Sequence, residues 1–74
     1  MKSKEAITAA LGVRIKNLRK ERGMSQLQLA HFVHKDQQSI QRLEAGKINP
    51  SIYYLFEISE GLKVPLIQLF IDVN

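Results

Sequence analysis

Gln37, Gln38, Gln41 and Arg42 are the side chains whose types and spacing most directly offer chemistry. At 3.6 residues per turn they share one broad helical face. Asp36, just before them, is a good helix N-cap. Ile40 and Leu43, three apart, point the other way as a small apolar keel. The polar face carries amide donors and acceptors plus a guanidinium, whereas a solvated face more often mixes carboxylates with lysines. Groups of this kind match base edges in a DNA groove: Gln pairs with adenine, Arg with guanine O6 and N7. A plain surface helix fits the same stretch, so the stretch alone leaves both readings open.

Other chemistries find less support. His31 and His34 are three apart and could share a helix face, but no third ligand stands near them and no cysteine is present. No metal or other cofactor is expected, and His31 reads as plain surface. There is no Ser-His-Asp set, no phosphate-cradling glycine loop and no close carboxylate pair in an evident cleft, so no enzyme is expected.

The elements that position the polar face must come from a short chain. Its 74 residues make one domain, 1–74, near the lower limit for a self-sufficient core. Without disulfides it must rely on packed helices or on oligomerisation. No apolar run approaches a membrane span, and Met1 to Lys4 leads into no signal-like segment, so a cytoplasmic protein is expected. The net charge of +4 is uneven. Residues 1–37 hold eight Lys/Arg against three Asp/Glu, and residues 38–74 hold three against four. A basic first half suits a polyanion and an apolar second half suits another protein; simple solubility also accounts for the total.

Periodicity predicts an all-α chain of five helices. The first runs from Ser3 to Arg22 on Ile7, Leu11, Ile15 and Leu18, and Gly23 ends it. Gly12 inside it either permits close packing or marks a frayed first turn. Lys16, Lys20 and Arg22 lie off the apolar stripe and read as a solvated face. Ser25 caps a second helix, Gln26 to Val33, with a serine-plus-glutamine capping box. Leu29, Ala30 and Val33 form its stripe, with Leu27 and Phe32 outside it. His34-Lys35 turns the chain into the third helix, Asp36 to about Ala45, which Gly46 stops. Ser51 caps the fourth, Ile52 to Leu62, with Leu55, Ile58 and Leu62 inward, an aromatic flank of Tyr53, Tyr54 and Phe56, and Gly61 weakening the last turn. Pro65 suits the first position of a short fifth helix, Leu66 to about Phe70. The tail Ile71-Asp72-Val73-Asn74 alternates and reads as extended.

Two short helices joined by a three-residue turn make a helix-turn-helix, here at about 25–45. In that arrangement the second helix enters the major groove with its N-terminal residues toward the bases. At this point the chain resembles the Cro/C1 (Xre-type) helix-turn-helix regulators. The likeness covers about residues 11–70. It is carried by Leu11-Gly12-x-Arg14-Ile15-x-x-Leu18-Arg19, by Gly23-Met24-Ser25-Gln26-x-x-Leu29-Ala30, by Ile40-x-Arg42-Leu43-Glu44-x-Gly46-Lys47-x-x-Pro50-Ser51, and by Leu55 through Leu69-Phe70. Each block is weak alone, and the four in this order are specific. Gln37-Gln38-Ser39-Ile40 also looks like the recognition helix of a lambdoid phage repressor.

The resemblance implies a compact, lambda-repressor-like DNA-binding domain. It implies that Gln37, Gln38, Gln41 and Arg42 face base edges of double-stranded DNA. It also implies that Gln26 and Lys47 meet phosphates, and that an Arg19–Glu44 salt bridge ties the first helix to the third. The chain departs from the family at His34, where glycine is frequent. It departs again at Lys35, where an apolar residue is usual and a lysine adds a phosphate contact or points to solvent, and at Lys63, in place of a frequent Gly or Asn. The loop Lys47-Ile48-Asn49-Pro50 lacks extra basic residues for the minor groove. The aromatic flank Tyr53, Tyr54 and Phe56 reads as core filling, a dimer seam or a partner site, with shared core and dimer duty favoured, because apolar residues near the end exceed what one small core needs; Tyr54, Phe70, Ile71 and Val73 are expected in a homodimer interface. The expected function is sequence-specific transcription regulation by a homodimer on an inverted-repeat operator. Length and the early helix-one extension look most like the restriction–modification controllers. The alternative is an antitoxin-like interaction module whose main ligand is a toxin or other protein.

Overall fold

Each of the four α-helices begins on a side chain that captures a free backbone N–H. In the computed structural model, which describes residues 2–73, these are α1 (Lys4–Glu21), α2 (Gln26–Phe32), α3 (Gln37–Glu44) and α4 (Ile52–Leu62). Ser3 accepts from Ala6 N–H, Asp36 from Ser39 N–H and Ser51 from Tyr54 N–H. Ser25 and Gln28 form the reciprocal capping box expected of them.

Each helix also ends on a residue with left-handed backbone: Gly23, His34, Gly46 and Lys63, at φ of 68°, 56°, 71° and 59°. The next N–H then reaches back five residues: Met24 to Arg19, Lys35 to Ala30, Lys47 to Arg42 and Val64 to Ser59. This is one repeated Schellman closure. Glycine adopts it freely; His34 and Lys63 adopt it against a cost of roughly 1–2 kcal/mol each. The substitutions noted in the sequence at 34 and 63 are therefore tolerated without a change of backbone.

The core collects Leu11, Ile15 and Leu18 from α1, Leu29, Ala30 and Val33 from α2, Ile40 and Leu43 from α3, and Leu55, Ile58 and Leu62 from α4. α3 packs mainly on α2 and α1, and α4 on α2 and the C-terminal segment. Leu27 and Phe32 stay exposed, off the α2 stripe. Gly61 is there for packing: a Cβ would sit 2.9 Å from Leu29 Cδ1 and 3.0 Å from Val33 Cγ1.

The C-terminal part departs from expectation. Leu66–Phe70 is a 3-10 helix, not an α-helix, and Pro65 is its N-cap, in extended geometry, not its first residue. Arg14 holds this piece from α1. Its Nε donates to the Gln68 carbonyl at 2.8 Å and its Nη2 to Gln68 Oε1 at 3.1 Å. The tail is not extended. Asp72 is left-handed, at φ 63°, and Val73 turns back into the core, 6% exposed. Asn74 lies outside the described residues. No helix among the described residues is long and apolar enough to cross a membrane.

Candidate nucleic-acid interface

α3 is eight residues, or two turns, and its keel is complete: Ile40 is 0% and Leu43 1% exposed. Fixing the keel inward turns Gln37, Gln38, Gln41 and Arg42 outward, and all four are exposed. A groove of about 280 Å³ runs along this face, lined by Asp36, Gln38, Ser39, Arg42 and Ile48. Of the four polar side chains, the structure thus places Gln38 and Arg42 on one groove, one turn apart. Lys47, just beyond the end of α3, is exposed as well.

The C-terminal end of α3 is anchored by a buried ion pair. Arg19 Nε donates to Glu44 Oε2 at 2.6 Å and Nη2 to Oε1 at 3.0 Å. Arg19 Nη1 donates to the Met24 carbonyl at 2.7 Å, and Gln26 Nε2 donates to Glu44 Oε1 at 3.0 Å. A bidentate guanidinium–carboxylate pair with its remaining groups satisfied is the geometry in which burying two charges is tolerable. No buried side-chain N or O among the described residues lacks a partner. One amide hydrogen of Gln26 is thus committed to Glu44, so the start of α2 and the end of α3 are tied through the same carboxylate. The sequence pairs Arg19 with Glu44 only through the family likeness; the Gln26 bond has no sequence signal.

The other end of α3 meets α4. Ser39 Oγ and Tyr54 Oη lie 2.7 Å apart, and the Lys35 ammonium sits 5.4 Å from the centre of the Tyr54 ring. Tyr54 is half-buried in this contact. Two of the residues expected at a dimer interface are therefore used within the protomer. Tyr54 is spent mainly on Ser39 and Lys35. Val73 is core, because the left-handed Asp72 folds the chain back, and it has no surface to offer. Phe70 and Ile71 remain exposed, at 39% and 42%.

Burial pushes the Tyr54 phenol above its ordinary 10.0; the Ser39 bond opposes this and the Asp36 and Glu57 carboxylates add to it. A phenol harder to ionise in the fold contributes stability that is full below pH 10 and is lost as pH climbs through the raised value. Tyr54→Phe is expected to flatten the fall of stability with pH above about pH 10. Urea midpoints across that range check it; an unchanged slope would take Tyr54 out of the linkage.

Residues 15–69, most of the helical core, match the family model described as helix-turn-helix, HTH_3. The chain belongs to this family. Helix-turn-helix proteins of this kind are DNA-binding transcription regulators, not enzymes, and that class now covers α2, its turn and α3 together. Solved structures agree in fold. The restriction–modification controller C.AhdI from Aeromonas hydrophila is similar at TM-score 0.83 and 27% identity, over 85% of this chain and 96% of its own. The wild-type restriction–modification controller C.Esp1396I is similar at TM-score 0.82 and 30% identity, over 90% of this chain and 88% of its own. An HTH_3 family transcriptional regulator from Vibrio cholerae is similar at TM-score 0.88 and 26% identity, over 96% of this chain and 40% of its own. Among curated protein sequences none matches.

Besides the Gln26–Glu44 bond, Ser39–Tyr54 and Arg14–Gln68 also escape any reading of the sequence. They span 15 and 54 positions. Helical periodicity, which works over three or four residues, carries no information at those separations.

Proposed function

We propose that the chain is a cytoplasmic, single-domain regulator that binds a specific DNA site as a homodimer on an inverted repeat. Gln37, Gln38, Gln41 and Arg42 read base edges. Gln26, through its second amide hydrogen, Lys47 and Lys35 meet phosphates. The single observation that supports this most is the exposed four-residue face of α3, held at one end by the Arg19–Glu44 pair and at the other by Ser39–Tyr54. A reading helix needs that rigidity, because a displacement of about an ångström breaks a bidentate contact. Dimerisation draws on the apolar surface left after folding: Ile67, Phe70 and Ile71 on the C-terminal segment, the first of them 72% exposed. A twofold pairing would set the two reading helices about one DNA turn apart, roughly 34–36 Å. The controllers C.AhdI and C.Esp1396I match over most of their own length, which favours a controller-like role for this chain.

Two variants separate reading from gripping. Gln38→Ala should lose about 1–3 kcal/mol on the cognate site and little on random DNA, as the loss of one amide–base contact requires. Lys47→Ala should weaken both DNAs alike and lower the slope of log affinity against log salt by about one. Fluorescence anisotropy titrations at several salt concentrations measure both. Equal losses of Gln38→Ala on the two DNAs would take base reading away from Gln38, and an unchanged slope would take the phosphate from Lys47.

A second reading, an antitoxin-like module whose main ligand is a protein, draws on the exposed aromatic set Phe32, Tyr53 and Phe56, at 59%, 69% and 41%. The size-exclusion mass with and without co-expressed genomic neighbours separates it from the first.

A further inference from the structure

The two ends of α3 are held by different means. The Glu44 end is locked on α1 by a buried ion pair and by close backbone packing: a Cβ on Gly12 would lie 2.7 Å from the Leu43 carbonyl oxygen. The other end carries Gln37 and Gln38. Its Asp36 cap is local, binding only Ser39 N–H. Among the described residues, one side-chain hydrogen bond joins the first half of α3 to another element, and that is Ser39 Oγ with Tyr54 Oη at 2.7 Å. α3 has its main packing on α2 and α1, so Tyr54 is the chief tie from α4.

We propose that Tyr54 is a positioning residue for DNA reading: from α4 it sets, through Ser39, the direction in which α3 presents Gln37 and Gln38. This rests on the base-reading role given to α3 above. The lever is short but sufficient. Gln37 lies seven residues from Glu44, about 10 Å along the helix axis at 1.5 Å per residue. A pivot of about 10° at the Glu44 end moves it by roughly 2 Å, beyond the tolerance of a bidentate hydrogen bond. The same ring carries the Lys35 ammonium, one residue before the Asp36 cap, as a cation–π contact. One half-buried side chain thus holds both the start of the reading helix and a cation beside it. The phenol stays protonated well above neutral pH, so the hydroxyl pair persists under all ordinary conditions.

Tyr54→Phe keeps the ring and Lys35 in place and removes only the hydroxyl. The full chain should then lose about tenfold of its preference for the enriched site over random DNA. Its affinity for random DNA and its salt slope should stay as in the wild type, since the phosphate contacts remain. Ser39→Ala should give the same loss, and the double variant no more than either single one. In the DNA-free protein, the backbone amide resonances of Gln37 to Gln41 should shift in Tyr54→Phe while those of Arg19 and Glu44 hold. Unmoved Gln37–Gln41 amides with an unchanged preference would overturn the proposal. Additive losses in the double variant would too, by giving the two hydroxyls separate jobs. Equal losses on both DNAs, in step with a lowered melting midpoint, would reduce Tyr54 to a structural residue. A wild-type chain with no preference among sequences removes base reading from α3, and the amide shifts then decide alone whether Tyr54 orients the helix.

Discussion

Glu44→Gln is expected to lower stability by about 3–5 kcal/mol, the usual consequence of removing one partner from a buried ion pair. The amide keeps the shape of the carboxylate, so the loss is of charge and of hydrogen-bond acceptance, not of packing. It leaves the Arg19 guanidinium, on a side chain 8% exposed, without a counter-charge. It also replaces one of the two acceptor oxygens, Oε2 facing Arg19 Nε or Oε1 shared by Arg19 Nη2 and Gln26 Nε2, by an NH2 that meets a donor with a donor. In a domain of this size about 1 kcal/mol moves the melting midpoint by 4–8 °C, so a fall of roughly 15 °C or more is expected. Circular dichroism on heating measures it; a fall under about 4 °C would show that the pair is solvent-screened in practice. Replacing both partners by apolar residues, Arg19→Met with Glu44→Leu, should recover much of the stability. That double variant should still bind DNA weakly, because Gln26 would have lost the carboxylate that orients it.

Gly12→Ala is the second large effect. Alanine ordinarily stabilises a helix interior by about 1 kcal/mol over glycine. Here the added methyl would meet the Leu43 carbonyl oxygen at 2.7 Å and the Glu44 carbonyl carbon at 2.8 Å, with the Glu44 oxygen closer still. Backbone atoms at the end of a packed helix cannot step aside as a flexible side chain can, so α1 and α3 must separate. Overpacking of this kind costs about 1–3 kcal/mol and sometimes more. Less the roughly 1 kcal/mol gained in helix propensity, a net loss of about 1–2 kcal/mol is expected, read from urea midpoints; a variant as stable as the wild type or more so would mean that the two helices are not in contact at Gly12. Since the displacement acts on the Glu44 end of the reading helix, the surviving folded protein should also lose specific DNA affinity beyond what its stability explains.

The sequence is most legible where the physics is local. Ser25, Asp36 and Ser51 announce helix starts because a cap works over three residues, and all three cap as expected. Gly23 and Gly46 announce helix ends for the same reason. The keel of α3 follows from Ile40 and Leu43 three apart. Legibility fails where a residue's job depends on distant neighbours. Gly12 left two options open until Leu43 and Glu44 were seen against it. Gly61 reads as a weak point of α4, yet it makes room for Leu29 and Val33. Pro65 reads as the opening residue of a helix, but Arg14 grips the following segment through both the Gln68 carbonyl and its amide, and the piece settles as a 3-10 helix. Ile71 to Val73 alternates like a strand, and a single left-handed residue, Asp72, reverses it. Tyr54 is the most instructive case. As one of a run of aromatics on α4 it reads as shared core and dimer surface, and nothing within a few residues of it names Ser39 as its partner.

The α3 face proposed to read DNA was legible as a set of exposed side chains whose chemistry matches base edges. Whether they read bases is a property of the DNA complex, and the most direct measurement is selection. The 74-residue chain, incubated with a pool of random duplexes and taken through rounds of capture and amplification, should enrich an inverted repeat. Its half-site centres should lie about one helical turn apart, and Gln38→Ala should lose preference at one position in each half. A pool that enriches no sequence, or a Gln38→Ala variant that enriches the identical site with identical strength, would contradict base reading by α3.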